Sequence, residues 1–206
     1  SVLHYTRQNF VKDLLKKIGP TDMIEHYCSR VKENDSIANK LWGKKLNATI
    51  DNALEHLTDI IGVRIVVHFI GDVYDIAAKI RSQYKILEEI DYITTPKDNG
   101  YRSLHMIVNA PVKTKSGFNG KTIPVEIQIR TVAMDCWASL EHQMLYKKEN
   151  QQNMELAQKE LFHCAETLFS TDMKMEAIQS IIQKTEKHLL LYNMELRKQV
   201  ATDPLT

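Results

Sequence analysis

Val125-Glu126-Ile127-Gln128-Ile129-Arg130 decides how this chain can fold. With the two-residue period of a strand, Val125, Ile127 and Ile129 share an apolar face, and Glu126, Gln128 and Arg130 point together the other way. A carboxylate, an amide and a guanidinium in a row can bind a metal ion, read a polar ligand and hold a phosphate. The same alternation also describes an ordinary half-buried strand with a solvated outer face.

Upstream, Asp59-Ile60-Ile61-Gly62-Val63-Arg64 leads into a β-branched apolar run over residues 63–70, which reads as a second central strand. These two strands are the most apolar in the chain, so both are expected at the centre of a sheet, as neighbours. That arrangement would bring Asp59 and Glu126 within reach of one metal ion. Two carboxylates can hold a magnesium ion that keeps some waters and takes its other ligands from phosphates. Arg64, inside an apolar strand, needs an anionic partner: a ligand phosphate, or Asp59 or Glu126 in a structural salt bridge.

Around this centre the pattern alternates. Phe10, Val11, Leu14 and Leu15 recur at helical spacing over residues 6–17, closed by Gly19-Pro20. A second helix is expected over residues 22–31, and a third capped by Asp35 or Ser36. On that third helix Ser36, Lys40 and Lys44 lie one turn apart, as a phosphate clamp or as a solvated basic face. A helix over residues 72–84, a strand over residues 86–93 and a turn over residues 96–100 follow. Tyr101, Ser103 and His105 then share a strand face that suits a flat ligand such as a nucleobase, or a cross-strand pair.

Residues 113–122 form a hairpin loop back into the opening strand. After Arg130 the period becomes helical, with Ala133, Trp137, Leu140 and Met144 in a stripe and Glu141, His142, Tyr146 and Lys147 beside it. Two long helices are expected from Gln151 onward, their apolar faces (Leu161, Ala165, Leu168; Met175, Ile178, Ile182, Leu189) needing a partner. The sum is an α+β fold, α/β-like: a mixed sheet of about five strands flanked by helices, with two C-terminal helices.

The 206 residues allow one substantial core. Lys and Arg number 27 against 26 Asp and Glu, a net charge of +1, so charge gives no reason to expect bulk binding to RNA or to an anionic membrane. No apolar run approaches the roughly 20 residues needed to cross a bilayer, and no signal-peptide layout is visible, so the expected location is cytoplasmic. Cys28, Cys136 and Cys164 lack metal-type spacing and are expected as reduced, packed thiols.

Three compound motifs carry a resemblance. Asp59-Ile-Ile-Gly-Val-Arg64, Asp91-Tyr-Ile-Thr-Thr-Pro-Lys-Asp-Asn-Gly-Tyr-Arg-Ser-Leu-His105, and the run from Val125 through His142 with Tyr146-Lys147 resemble, in order, the synthetase domain of RelA/SpoT-type alarmone synthetases. The chain is similar to the stand-alone small alarmone synthetases, without the hydrolase and regulatory domains of the long enzymes. The resemblance implies a nucleotidyltransferase-like fold, with the synthetase domain over residues 1–148 and a helical extension over residues 149–206 that builds a homo-oligomer, a tetramer in the family. It implies Mg2+-dependent transfer of pyrophosphate from ATP to the 3′-hydroxyl of GDP or GTP.

Carried over by motif, Asp59 resembles the metal ligand, and Glu126 the carboxylate that meets the metal and acts as general base. Arg30, Lys32, Ser36, Lys40 and Arg64 match positions that hold ATP. Lys97, Asn99, Tyr101, His105, Gln128 and Ala138 match the acceptor side, with Tyr101 stacking on guanine. The chain departs from the family at Gly43, where a basic residue is usual and Lys44 or Lys45 would substitute. It departs again at Glu88-Glu89-Ile90, which lacks the basic pair of bifunctional enzymes, and at Cys136, where alarmone-activated tetramers carry an aromatic. Alternative readings are a pyrophosphokinase with an adenine-nucleotide or tRNA 3′-end acceptor, and a nucleotide-binding regulator without turnover.

Overall fold

A computed structural model describes residues 2–19, 22–114, 117–145 and 154–202. Its elements are α1 (Val2–Ile18), β1 (Ile24–Val31), α2 (Asn34–Gly43), α3 (Ile50–His56), β2 (Ile61–Val67), α4 (Ile70–Gln83), β3 (Ile86–Asp91), β4 (Leu104–Thr114), β5 (Gly117–Thr131), α5 (Val132–Leu145) and α6 (Met154–Thr202). The strands form one five-stranded mixed sheet in the order β1-β2-β5-β4-β3. β2 and β5 are central, adjacent and parallel, with Gly62 opposite Glu126 and Arg64 opposite Gln128. The other pairings are antiparallel.

Strand alternation separates core from chemistry. Val63, Ile65, Ile127, Ile129, Leu104 and Met106 are buried against Phe10, Leu14 and Ile18 of α1 and Val73, Ile76 and Ile80 of α4. Each such side chain contributes about 1.5–3 kcal/mol when fully buried. Reciprocal hydrogen bonds between Thr6 and the Lys113 backbone, 3.2 and 3.0 Å, pin α1 to the end of β4. The opposite face of the sheet carries Arg30, Arg64, Glu126, Gln128, Arg130 and His105.

Three expectations are corrected. Residues 22–31 do not form a helix. They contain β1, an edge strand paired to β2, whose largely exposed pattern lacks the alternation that marks a half-buried strand. The third helix starts after Glu33, so neither Asp35 nor Ser36 caps it. In place of two C-terminal helices there is one, α6, of 49 residues. The expected boundary at residues 148–149 lies outside the described residues, as do Pro20, Tyr146 and Lys147. The α5 stripe is only half a core: Trp137 is buried, but Leu140 and Met144 are exposed. All three cysteines are free, as expected, yet exposed rather than packed.

The first part of α6 is bound into the domain by polar anchors. Trp137 Nε1 donates to the Leu161 carbonyl at 2.7 Å, Arg102 pairs with Glu166 at 2.8 Å, the Gly71 amide donates to Glu176 at 3.1 Å, and Thr131 donates to Asp172. Gly100, at φ +89°, lies so close that a Cβ there would stand 2.6 Å from that of Ala165. Only glycine meets both demands. Beyond Glu176, α6 exposes Ile178, Ile181, Ile182, Leu189, Leu190, Leu191, Tyr192 and Met194. Among the described residues no helix is long and apolar enough to cross a membrane.

Candidate active site

β5 supplies the centre. Glu126 faces away from the core, with the His105 Nδ1 3.1 Å from its Oε1 and the Gln128 amide donating to its Oε2 at 3.0 Å. Burial pushes the Glu126 carboxyl up, but the His105 and Gln128 contacts outweigh it and hold the group below the ordinary carboxylate range. Glu126 is therefore ionised at neutral pH. Gln128 Oε1 in turn accepts from Arg130 at 3.0 Å, so the three polar residues of the strand are linked in sequence order.

On the β4 side, the Arg130 guanidinium donates to the Tyr101 hydroxyl at 2.5 Å, and that hydroxyl lies 2.8 Å from His105 Nε2. With the phenol O–H donating to Nε2, a neutral His105 carries its proton on Nδ1, directed at Glu126. Ser103, expected beside Tyr101 and His105, is fully buried instead, donating to the Ile129 carbonyl and accepting from Arg130 Nε. Lys97 lies 4.7 and 5.0 Å above the Tyr92 and Tyr101 rings. Asn99 accepts from the Tyr101 amide at 3.1 Å and donates to Glu141 of α5 at 3.3 Å. Ala138, half-buried, falls on the α5 face between Asp135, which reaches Arg130 of β5, and Glu141, which reaches Asn99 in the turn before β4.

On the β2 side, Asp59 sits in the loop before the strand. Lys32 and Lys40 both reach its Oδ2, at 2.5 and 2.6 Å. Burial raises the Asp59 carboxyl, and the two lysines more than reverse it, leaving it below its ordinary value. Burial lowers Lys32 despite Asp59; at Lys40, Asp59 outweighs burial and the group is raised. The charge of Asp59 also lifts Glu126, and that of Glu126 lifts Lys40. Asp59, three residues before Gly62, and Glu126, opposite Gly62, thus belong to the neighbouring central strands and the loop leading into them. Among the described residues no group of three or more His, Cys, Asp or Glu converges. Asp59 and Glu126, as two carboxylates, would suit an ion that takes only one or two protein carboxylates and completes its shell from phosphate and water.

Arg30 lies opposite Gly62, with its side chain running over the glycine at van der Waals distance. Ser36 is half-buried on α2, one turn before Lys40. Lys44 is exposed at the C-cap of α2, and Lys45 turns the chain with φ 59°, so neither is brought to Asp59 as Lys40 is.

Two arginines differ from expectation. Arg64 pairs neither with Asp59 nor with Glu126; its partner is Asp135 of α5, at 3.2 Å. Arg130 is 3% exposed and committed to Ser103, Tyr101, Gln128 and Asp135, so it organises the site rather than holding a phosphate. Sequence reasoning missed Asp135 and Tyr92. Tyr92 stacks edge-on against both Tyr101 and His105. Its place after Asp91 gave only a β-former at a strand end. Asp135, in the first turn of a helix, resembles an ordinary dipole-matching residue.

A family model described as a region found in RelA and SpoT proteins matches residues 29–151, which span every candidate residue from Arg30 to Ala138. GTP pyrophosphokinase YwaC of Bacillus subtilis is 45% identical over 158 residues, 76% of this chain and 74% of that one. The crystal structure of small alarmone synthetase 2 from Bacillus subtilis superposes with a TM-score of 0.70 at 38% identity, covering 87% of this chain and 96% of that chain. That of small alarmone synthetase 1 bound to its product pppGpp gives 0.69 at 30%, over 86% and 89%. The order of the sheet, the residues gathered on its polar face and these likenesses agree, and the chain belongs to the RelA/SpoT family.

Proposed function

We propose that the chain is a GTP pyrophosphokinase that moves the β,γ-pyrophosphate of ATP to the 3′-hydroxyl of GDP or GTP, giving ppGpp or pppGpp and AMP. The observation that carries this reading is the placement of an ionised, doubly hydrogen-bonded Glu126 between two unlike clusters. On the β2 side stand Lys32, Lys40, Ser36, Arg30 and Arg64, a cationic cradle for ATP. On the β4 side stand Tyr101, Tyr92, Lys97, Asn99 and His105, aromatic and polar, fit for a flat base. Relatives carry the name GTP pyrophosphokinase, and one similar structure holds pppGpp.

In the mechanism, Glu126 takes the proton of the acceptor 3′-hydroxyl as its oxygen attacks the β-phosphorus. The bond from that phosphorus to the oxygen bridging it to the α-phosphorus breaks, and AMP leaves with the electron pair. A positioned base contributes about 10²–10⁴-fold to such a step. His105 and Gln128 fix the direction of the carboxylate, and Tyr101 and Arg130 fix His105. The lysines release Asp59 in favour of ATP phosphates and offset charge on the transferred group. Asp59 and Glu126 would hold Mg2+, which when bound neutralises phosphate and leaving-group charge. The exposed apolar stripe of α6 joins copies of the chain into a homo-oligomer, a tetramer.

Incubation with Mg2+, ATP and GDP, GTP or AMP, followed by nucleotide separation, tests the reaction. AMP together with a 3′-pyrophosphorylated guanosine is expected. Binding of both nucleotides without any AMP released would overturn it in favour of a silent regulator, and product only with AMP as acceptor would move the substrate class.

A further inference from the structure

Asp135 lies where the two halves of the site meet. Its Oδ1 is 3.2 Å from Arg64 on the donor side and 3.1 Å from Arg130 on the acceptor side, while His26 Nε2 stands 3.9 Å from its Oδ2. The carboxylate is 15% exposed and the Arg130 side chain 4%, so this is a desolvated pairing in which geometry matters. Arg64 keeps a buried Nε without any partner. Asp135 therefore holds this arginine by one nitrogen and leaves another donor unspent. Arg130, steadied on Asp135, passes its other nitrogens to Tyr101, Gln128 and Ser103. Through Tyr101 and Gln128 the chain of hydrogen bonds reaches His105 and Glu126.

We propose that Asp135 is a positioning residue for both nucleotides. By sharing one carboxylate oxygen between Arg64 and Arg130, it sets the donor-side guanidinium and the hydrogen-bond chain on the acceptor side in a single geometry. The role rests on the pyrophosphokinase reading above. Without its charge, Arg64 swings free of the sheet, and Arg130 loses the anion that keeps it buried beneath Tyr101. The residue acts through the two arginines, not on substrate.

The test compares Asp135→Asn, Asp135→Glu and Thr131→Val with the wild type. Thr131, next to Arg130 on β5, caps α5 through the Met134 amide at 3.2 Å and bonds Asp172, but its hydroxyl bonds neither guanidinium, so its loss loosens the same helix while leaving both arginines' ion pairs with Asp135 in place. Affinities for a non-hydrolysable ATP analogue and for GDP are measured separately by calorimetry, alongside melting temperature, kcat and KM. Asp135→Asn should weaken both nucleotides about tenfold and lower kcat further, with Asp135→Glu recovering at least half of each loss on a logarithmic scale. Thr131→Val should lower the melting temperature while keeping both affinities within about twofold. If Asp135→Asn keeps both affinities, or if both α5 variants lose affinity in proportion to their loss of melting temperature, the residue is only a helix anchor and the proposal fails. A wild type that binds neither nucleotide would instead defeat the pyrophosphokinase reading and this role with it.

Discussion

His105 of β4 stands opposite Gln128 yet reaches diagonally to Glu126 of β5, with Nδ1 and Oε1 3.1 Å apart. The pairing leaves Glu126 ionised and aimed, with the His105 tautomer fixed by the Tyr101 hydroxyl behind it.

Replacing Glu126 by Gln keeps shape and removes the base. Transfer is expected to fall at least 100-fold, in line with the general-base contribution of about 10²–10⁴, while binding of both nucleotides stays within about threefold. Single-turnover kinetics with calorimetry checks this, and a variant with a tenth of the wild-type rate would exclude Glu126 as the base.

Tyr101 has two separable parts. Its ring, edge-on to Tyr92 and His105, is the proposed platform for guanine; its hydroxyl joins Arg130 to His105. Tyr101→Ala should weaken GDP binding by about 1–3 kcal/mol, the range for base stacking on an aromatic side chain, and ATP binding much less. Tyr101→Phe should keep GDP affinity and lose rate. Equal losses for both nucleotides in the alanine variant would mean the ring is structural.

Asp172 is buried on α6, bonded to Thr131, and burial holds its carboxyl above the ordinary value despite that bond. A carboxyl whose folded pKa lies above its unfolded one binds more protons when folded, so stability is lost as pH rises through that window. Asp172→Asn keeps an acceptor for Thr131 and removes the charge. It should raise the melting temperature at pH 7 by a few degrees, since ~1 kcal/mol corresponds to about 2–4 °C in a chain of this size. The gain should shrink toward pH 4. A drop at pH 7 would show that the ionised form stabilises the fold.

The distal part of α6 presents Ile178, Ile182 and Leu189 to solvent. This ridge is the proposed surface between copies of the chain. The wild type is expected to be a homo-oligomer in light scattering, and Ile182→Glu combined with Leu189→Glu to be monomeric without loss of helix content. An unchanged mass would place the interface elsewhere.

The sequence carried most of the sheet and half of the site. β2 was legible because a continuous β-branched run leaves few alternatives to a central strand, and β5 because its apolar and polar residues alternate. Glu126 and Gln128 followed from period-two alternation, and Lys40 from its helix face. β1 was not legible: an edge strand with polar residues on both faces has no period, and pairing with β2 decides it. Arg64 was flagged as needing an anion, but Asp135 lies 71 positions later, on a helix whose docking only the assembled sheet defines. Arg130 read as a phosphate ligand because local sequence cannot say that four protein groups converge on one guanidinium. The joining of the C-terminal segment into one rod was equally hidden, since apolar stripes report faces and not continuity.

That rod has a mechanical meaning. Its near end is the floor beneath Gly100, where not even a methyl group could be inserted, and its far end carries the bare aliphatic ridge. The bend that bears Lys97 and Tyr101 is therefore seated directly on that helix, and any side chain at residue 100 would have to lift it off.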